Sequence, residues 1–322
     1  DIDISRMLGF HRRNDAGITL FTHPNAHPYD SDLVSADYGG RVRGIIKKGG
    51  ARSGLYYGNN VNAGFFIVNP RTLGFFDTPE EVGMEHDFVG ALIDGGERVF
   101  AYKSTEYIKD AGTPSRFDSV AADIKSGTVS GKNLKNKQRA VFLDRDGTVN
   151  KYKGFISDAA QIELTDRAAE AIRLINKSGY LAIVVSNQPV IARGEATAAE
   201  VEKMHKKIET LLGAENAYLD DILYCPHHPD SGYPGEVAAL KIKCDCRKPG
   251  TGMFIVAVEK YNIDLKASCM IGDSDVDVEA GHNAGMPAVR INSGLAERGS
   301  EAAENRAENL LDAVKIFLGG DL

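Results

Sequence analysis

The sequence predicts an α/β protein in two parts. A doubly wound parallel-sheet domain is expected over residues 139–322, preceded by a partial, mixed α/β domain over 1–127, with a linker at 128–138. Three observations carry this. Beyond residue 138, short apolar runs alternate regularly with helix-like stretches, as a sheet covered on both faces requires. Before residue 128 the texture is less regular, and strand-like runs mix with short helices. Between them "SGTVSGKNLKNKQ" is polar, carries Gly127 and Gly131, and has Val129 and Leu134 as its only large apolar residues.

In chain order, "DIDISRMLGFHRR" reads as a helix. Because the chain starts inside it at Asp1, without methionine, an N-terminal truncation is expected. "HPYDSDLV" and "GRVRGI" read as strand, turn, strand, and "GITLFTHP", "VNAGFFIVNP" and "ERVFAYK" as further strands. "PRTLGFF" and "MEHDFVGALIDGG" are the short helices, and "YIKDAGTPSRF" is expected to end a strand at Asp110. In the second half "AVFLD", "LAIVVS", "DILYC", "CMIGD" and "PAVRIN" are the strands, while "TDRAAEAIRLINKS" and "TAAEVEKMHKKIETLL" are helices. There is no internal repeat.

Charge limits the partners. The 322 residues hold 38 lysines and arginines against 45 acids, a net charge of −7, so no basic field recruits nucleic acid or an anionic membrane. No apolar run approaches bilayer length and no secretory leader is legible, which makes the cytoplasm the expected compartment. An anionic small molecule must then be held locally.

The polar clusters "DRDGT", "SNQ", "CPHH" and "GDSDVD" each close a strand, and parallel sheets gather ligands at those ends. Asp144 is a candidate nucleophile toward phosphorus, and Asp146, two positions on along an extended segment, a candidate general acid and base. Gly147 allows the tight backbone and Thr148 offers a hydroxyl. Taken alone, Asp-x-Asp-Gly is also a common turn. Phosphoryl transfer needs a divalent cation and fixed cationic donors. Asp273 is placed to join Asp144 on Mg²⁺, with Asp277 behind it; Ser186 and Asn187 are donors to phosphate oxygens; Lys248, with Arg247 beside it, is a point charge for the phosphoryl group. Cys225, His227, Cys244 and Cys246 form Cys-x-His and Cys-x-Cys pairs suited to a closed, structural zinc, with His228 as a substitute ligand or a solvent-facing neighbour. Core packing or a disulfide is the alternative for these cysteines; Cys269 reads as core.

In this order the four motifs resemble the haloacid dehalogenase superfamily of phosphohydrolases over about Arg139 to Gly294. The resemblance implies a haloacid dehalogenase-like fold, Asp144 as nucleophile, Asp146 as general acid and base, and Mg²⁺ held by Asp144, the backbone carbonyl of Asp146, and Asp273. Little sequence separates the first two motifs, so no inserted cap domain is expected and the site should be open. The zinc loop followed by "CRKPG" is similar to the D-glycero-D-manno-heptose 1,7-bisphosphate phosphatases and related histidinol-phosphate phosphatases. "IARGEAT" is similar to a segment whose arginine, here Arg193, meets substrate in that group.

The first half resembles the later part of sugar-1-phosphate nucleotidyltransferases. By that resemblance Asn62 and Gly64 touch a sugar, Glu85 meets its hydroxyls and Asp110 binds a metal. The family's glycine-rich nucleotide loop and its other metal-binding Asp have no counterpart here. The expectation is therefore a sugar bisphosphate phosphatase using Mg²⁺ and structural Zn²⁺, in a truncated bifunctional protein whose guanylyltransferase half is incomplete, inactive and open to self-association. Histidinol-phosphate phosphatase is the same-class alternative, and a sugar-nucleotide-binding or assembly module with a dormant phosphatase the alternative of another class.

Overall fold

A computed structural model describes residues 1–49, 52, 54–75, 82–292 and 305–319. Phe76, which closes the expected "PRTLGFF" helix, and residues 293–294 at the end of the motif-bearing span lie outside the described residues. The chain divides into two compact units, Asp1–Asn136 and Lys137–Leu322. Part of the expected linker belongs to the first unit: it forms a helical turn at Thr128–Gly131, and Leu134 is buried while its N–H donates to Glu106 at 3.1 Å. The buried Leu134 and the hydrogen bonds of its neighbourhood, Asn133 Nδ2 to Asp1 among them, dock this polar stretch.

The first unit begins with α1 (Ile4–Arg13), whose N–H groups at Ser5 and Arg6 donate to the Asp3 carboxylate, an N-cap. It continues through β1 (Ile18–His23), β2 (Leu33–Ala36), β3 (Val42–Ile46), β4 (Val61–Val68), α2 (Val89–Asp94), β5 (Val99–Lys103), α3 (Pro114–Lys125) and α4 (Thr128–Gly131). The sheet order is β3-β2-β4-β1-β5, with β1 antiparallel to β4 and parallel to β5. Ile18, Leu20, Val89, Leu92 and Val99 form its buried core. Expected strands and hairpin are present; "PRTLGF" is a 3₁₀ segment, and "MEHDF" is a π-helical turn leading into α2. Asp110 departs from expectation, for β5 ends at Lys103.

The second unit contains β6 (Ala140–Leu143), α5 (Ala168–Ser178), β7 (Leu181–Asn187), α6 (Ala198–Ala214), β8 (Asp221–Cys225), α7 (Gly252–Tyr261), β9 (Cys269–Gly272), α8 (Asp275–Asn283), β10 (Ala288–Ile291), β11 (Asn305–Ala307) and α9 (Leu310–Gly319). All its strands are parallel, in the order β11-β10-β9-β6-β7-β8. The order reverses beside β6, which creates a crevice between the carboxyl ends of β6 and β9. β6 is fully buried because both its faces are covered. Val141 and Leu143 join the large core that includes Ile172, Ile175 and Val184, whereas Phe142 meets Phe254 of α7 edge-on at 5.0 Å. Thr197 and Glu200 close a capping box at the start of α6, and Val201, Met204, Ile208 and Leu212 then recur on its buried face. Between β6 and β7 there is no inserted domain, only loops, a 3₁₀ turn at Ala159–Gln161 and α5. Among the described residues no helix is long and apolar enough to cross a membrane.

Candidate active site

Asp144 follows β6 and Asp273 follows β9, so the reversal of strand order brings them to one crevice. With Asp277 they place ligand oxygens within 4.8 Å of one another. Asp277 is the third residue of α8: its carboxylate accepts from the N–H and hydroxyl of Ser274, the N-cap, at 3.1 and 2.6 Å. Its other oxygen accepts from Lys248 Nζ at 2.6 Å, and Lys248 Nζ also donates to Asp144 Oδ1 at 2.6 Å. Burial and the negative charges of Asp277, Asp146 and Asp273 hold the Asp144 carboxyl above the usual carboxylate range, with the Lys248 ammonium opposing them. Burial works against the charge of Lys248, but Asp144 and Asp277 outweigh it and raise its pKa.

Lys248 is positioned by the second motif. Asn187 Nδ2 donates to its carbonyl at 3.0 Å, and its N–H donates to Asn187 Oδ1 at 2.9 Å. Asn187, expected as a phosphate donor, lines the cavity and also anchors the lysine. Ser186 is buried, and Gln188 Nε2 donates to Ser186 Oγ at 2.8 Å and to Asp146 Oδ2 at 3.0 Å. The contact of Gln188 with Asp146 was not legible in the sequence, where it reads as the tail of a polar cluster.

Asp146 is held from several sides. The guanidinium of Arg145, fully buried, donates to both its oxygens at 2.7 to 3.1 Å, and Asn150 Nδ2 donates at 2.9 Å. Arg145 Nη1 also donates to His205 Nε2 at 3.4 Å. Burial, and then the Arg145 charge, push the His205 pKa well below its ordinary 6.5, so His205 is neutral and can accept. Arg145, lying between the two aspartates, reads as a spacer in the sequence; the structure makes it the clamp on one of them.

Asp144, Asp146, Ser186, Asn187, Gln188, Lys248, Asp273 and Asp277 line a cavity of about 230 Å³ together with Tyr152, Phe155, Arg247 and Ser274. Thr148 does not line it: Gly147, at φ 86°, turns the chain so that Thr148 is buried, with no hydrogen-bond partner for its hydroxyl. A Cβ at position 147 would lie 2.0 Å from Asp273 Oδ2, so only glycine leaves this carboxylate its place. Arg193 also lies outside the cavity lining, stacked on Phe155, which is part of it. Hard oxygen donors from three carboxylates sharing a site with one ammonium suit a divalent cation such as Mg²⁺.

Beyond β8, Cys225, His227, Cys244 and Cys246 converge, with Sγ···Sγ separations of 3.1 to 3.5 Å and His227 Nδ1 at 3.3 Å from Cys246 Sγ. Four thiol and imidazole donors gathered this closely could hold one metal ion. Arg247, next in sequence, donates to the His227 carbonyl at 3.3 Å. His228 stays outside the set and packs edge-on against Tyr233 at 5.9 Å. Cys269 is buried in β9, and burial pushes its thiol up to about 12, as befits an inert core residue.

In the first unit Gly64 N–H donates to Asn62 Oδ1 at 3.2 Å, and a Cβ on Gly64 would sit 3.6 Å from Glu85 Oε1, so these three are neighbours. Asp110 does not join them in a metal-ligating group; exposed in a loop, its carboxylate pairs with Arg116. The group that does form contains Asp32, Glu85 and His86, with His86 Nε2 at 2.9 Å from Asp32.

Comparison with known proteins places the second unit. A family model described as HAD-hydrolase-like matches residues 245–315. The D-glycero-beta-D-manno-heptose-1,7-bisphosphate 7-phosphatase of Escherichia coli O6:H1 is 37% identical over 175 residues, 54% of this chain and 87% of the relative. The protein of the same name from Pasteurella multocida is 34% identical over 185 residues, 56% of this chain and 98% of the relative. Among solved structures, the D,D-heptose 1,7-bisphosphate phosphatase of B. bronchiseptica, complexed with magnesium and phosphate, has 25% identity and a TM-score of 0.49, covering 57% of this chain and 99% of that one. No finding links the first unit to a nucleotidyltransferase.

Proposed function

The chain belongs to the haloacid dehalogenase-type phosphatases related to D-glycero-D-manno-heptose-1,7-bisphosphate phosphatase, and from that premise we propose that it removes the 7-phosphate of a heptose 1,7-bisphosphate. It is a phosphoric monoester hydrolase. The observation that carries the reading is the convergence of Asp144, Lys248, Asp273 and Asp277 in one crevice beside a clamped Asp146.

An oxygen of Asp144 attacks phosphorus, and the bond from phosphorus to the sugar oxygen breaks. Asp146 delivers a proton to that oxygen, and an aspartyl-phosphate remains. Asp146 then takes a proton from water as the water attacks phosphorus, the bond to Asp144 breaks, and inorganic phosphate leaves with the carboxylate restored. Lys248 neutralises charge on the phosphoryl oxygens, and Asn187 and Asp277 keep it in place. Asp144, Asp273 and the backbone carbonyl of Asp146 would hold a Mg²⁺ ion, which would add charge neutralisation at the phosphoryl group. Cys225, His227, Cys244 and Cys246 would hold a zinc ion, which would tie the loop that carries Arg247 and Lys248 to the end of β8.

Phosphate release from a panel of sugar bisphosphates and histidinol phosphate, with Mg²⁺ and after chelation, tests this. The heptose 1,7-bisphosphate is expected to have the highest kcat/KM and to need the metal, and Asp144→Asn to leave less than about a hundredth of the rate. Preference for histidinol phosphate would overturn the substrate; normal turnover by the Asn variant would overturn the nucleophile.

For the first unit we infer an inactive nucleotidyltransferase remnant, supported by the adjacency of Asn62, Gly64 and Glu85. The exposed Asp110–Arg116 pair gives it no metal carboxylate at that position. Sustained formation of a nucleotide-activated sugar from GTP and a heptose 1-phosphate by this chain would contradict it.

A further inference from the structure

We propose that His205 is a positioning residue of the phosphatase reaction, acting through Arg145 on the proton-carrying carboxyl of Asp146. This rests on the phosphatase reading above and adds to it a side chain that lies outside the four motifs and outside the cavity lining. His205 sits on the buried face of α6, between Val201 and Ile208, where the helical pattern otherwise puts apolar side chains. It is 7% exposed, and its ring packs 5.2 Å from that of Tyr224 on β8. A buried imidazole in an apolar position costs stability unless its polar atoms are used.

Here the atom used is Nε2, and its partner is the clamp on Asp146. Arg145 is fully buried, and its Nε and Nη2 both donate to the Asp146 carboxylate. Nη1, the remaining corner of the guanidinium, donates to His205 Nε2 at 3.4 Å. Burial, and then the Arg145 charge, keep the imidazole neutral, so this lone pair is available. Without the acceptor, a buried N–H of a cation is left unmet, and the guanidinium can meet it only by turning its fork away from the carboxylate.

The other supports of Asp146 do not replace this grip. Asn150 and Gln188 each give it one hydrogen bond, at 2.9 and 3.0 Å, and a single bond allows a carboxyl to pivot. The two-pronged contact from Arg145 fixes its plane as well as its place. That orientation matters because the carboxyl has to meet the leaving sugar oxygen within hydrogen-bond reach, and a displacement of about 1 Å costs on the order of 100-fold in rate. The position of α6 on the sheet is thus relayed through His205 and Arg145 to the group that moves the proton.

The test is the ratio of kcat/KM for heptose 1,7-bisphosphate to that for p-nitrophenyl phosphate, whose nitrophenolate leaves without being protonated. The ratio isolates proton delivery to the leaving oxygen, since both substrates share the attack by Asp144. His205→Leu should lower it about 10- to 100-fold with KM for the bisphosphate near wild type, while His205→Gln, whose amide oxygen can stand where Nε2 stands, should keep it near wild type. His205→Asn, too short to reach Nη1, reads the same ratio should the Leu variant fail to fold by circular dichroism. A folded Leu or Asn variant that keeps the wild-type ratio, whether or not both activities fall together, would overturn the positioning role, and so would a Gln variant as impaired as the Leu one. A wild type that turns over p-nitrophenyl phosphate but no heptose bisphosphate would instead overturn the substrate reading, and the ratio is then taken with the sugar phosphate it does hydrolyse.

Discussion

Replacing Lys248 by methionine tests the charge balance of the crevice. The ammonium is 2.6 Å from both Asp144 and Asp277, and the side chains of Lys248, Asp144 and Asp277 are 2%, 12% and 2% exposed. Methionine fills similar space but leaves the two carboxylates facing each other out of water. Breaking a buried ion pair by removing one partner costs about 3–5 kcal/mol, and the variant should lose stability of that order at pH 8 in the absence of metal. The deficit should depend on pH with a definite sign. Asp144 already titrates above the usual carboxylate range in the folded protein, and loss of the opposing ammonium raises it further. A carboxyl whose folded pKa exceeds its unfolded value binds more protons when folded, so stability rises as pH falls. The variant should therefore recover toward wild type between pH 8 and pH 5. Urea unfolding of both proteins at several pH values, followed by circular dichroism with chelator present, measures this. A deficit below about 1 kcal/mol, the scale of an exposed ion pair, or one that grows on acidification would show that Lys248 does not compensate these carboxylates.

Two further outcomes follow from the structure. Protein purified without chelators should contain one zinc per chain, and Cys244→Ser should raise KM through the adjoining Arg247 and Lys248 more than it lowers kcat; metal analysis finding no zinc would refute the site. The buried, neutral His205, whose pKa lies well below 6.5 in the folded protein, should make stability fall by up to about 1.4 kcal/mol per pH unit as pH drops below 6.5, because only the unfolded chain takes up the proton. His205→Asn should lessen that acid slope in urea titrations, and an unchanged slope would mean that His205 is protonated in the native state.

Features fixed by local periodicity were legible in the sequence. Apolar runs ending in polar clusters located β6, β7, β8 and β9, and cysteine spacing located the four side chains that meet beyond β8. What escaped were partnerships between residues distant in sequence. The pairing of the Asn187 amide with the backbone of Lys248 has no signal in the sequence, nor has the left-handed Gly147 that turns Thr148 inward, away from the cavity lining. Asp110 was misplaced because "YIKDAG" continues a strand-like texture, whereas pairing with β1 stops at Lys103.

Asp277 explains why the crevice cannot be separated from the fold that carries it. One of its oxygens belongs to the capping box that starts α8, and the other holds Lys248, whose backbone is fastened to Asn187 at the end of β7. Lys248 in turn reaches Asp144 at the end of β6. The carboxyl ends of β6, β7 and β9 are thus cross-linked through a single lysine, by its ammonium and its backbone. A helix cap and a strand order that reverses beside β6 generate the arrangement, and the chemistry uses the charges which that arrangement has already gathered. It follows that substitutions at Asp277 or Asn187 should disturb turnover through the position of Lys248, although neither side chain need touch the reacting phosphorus.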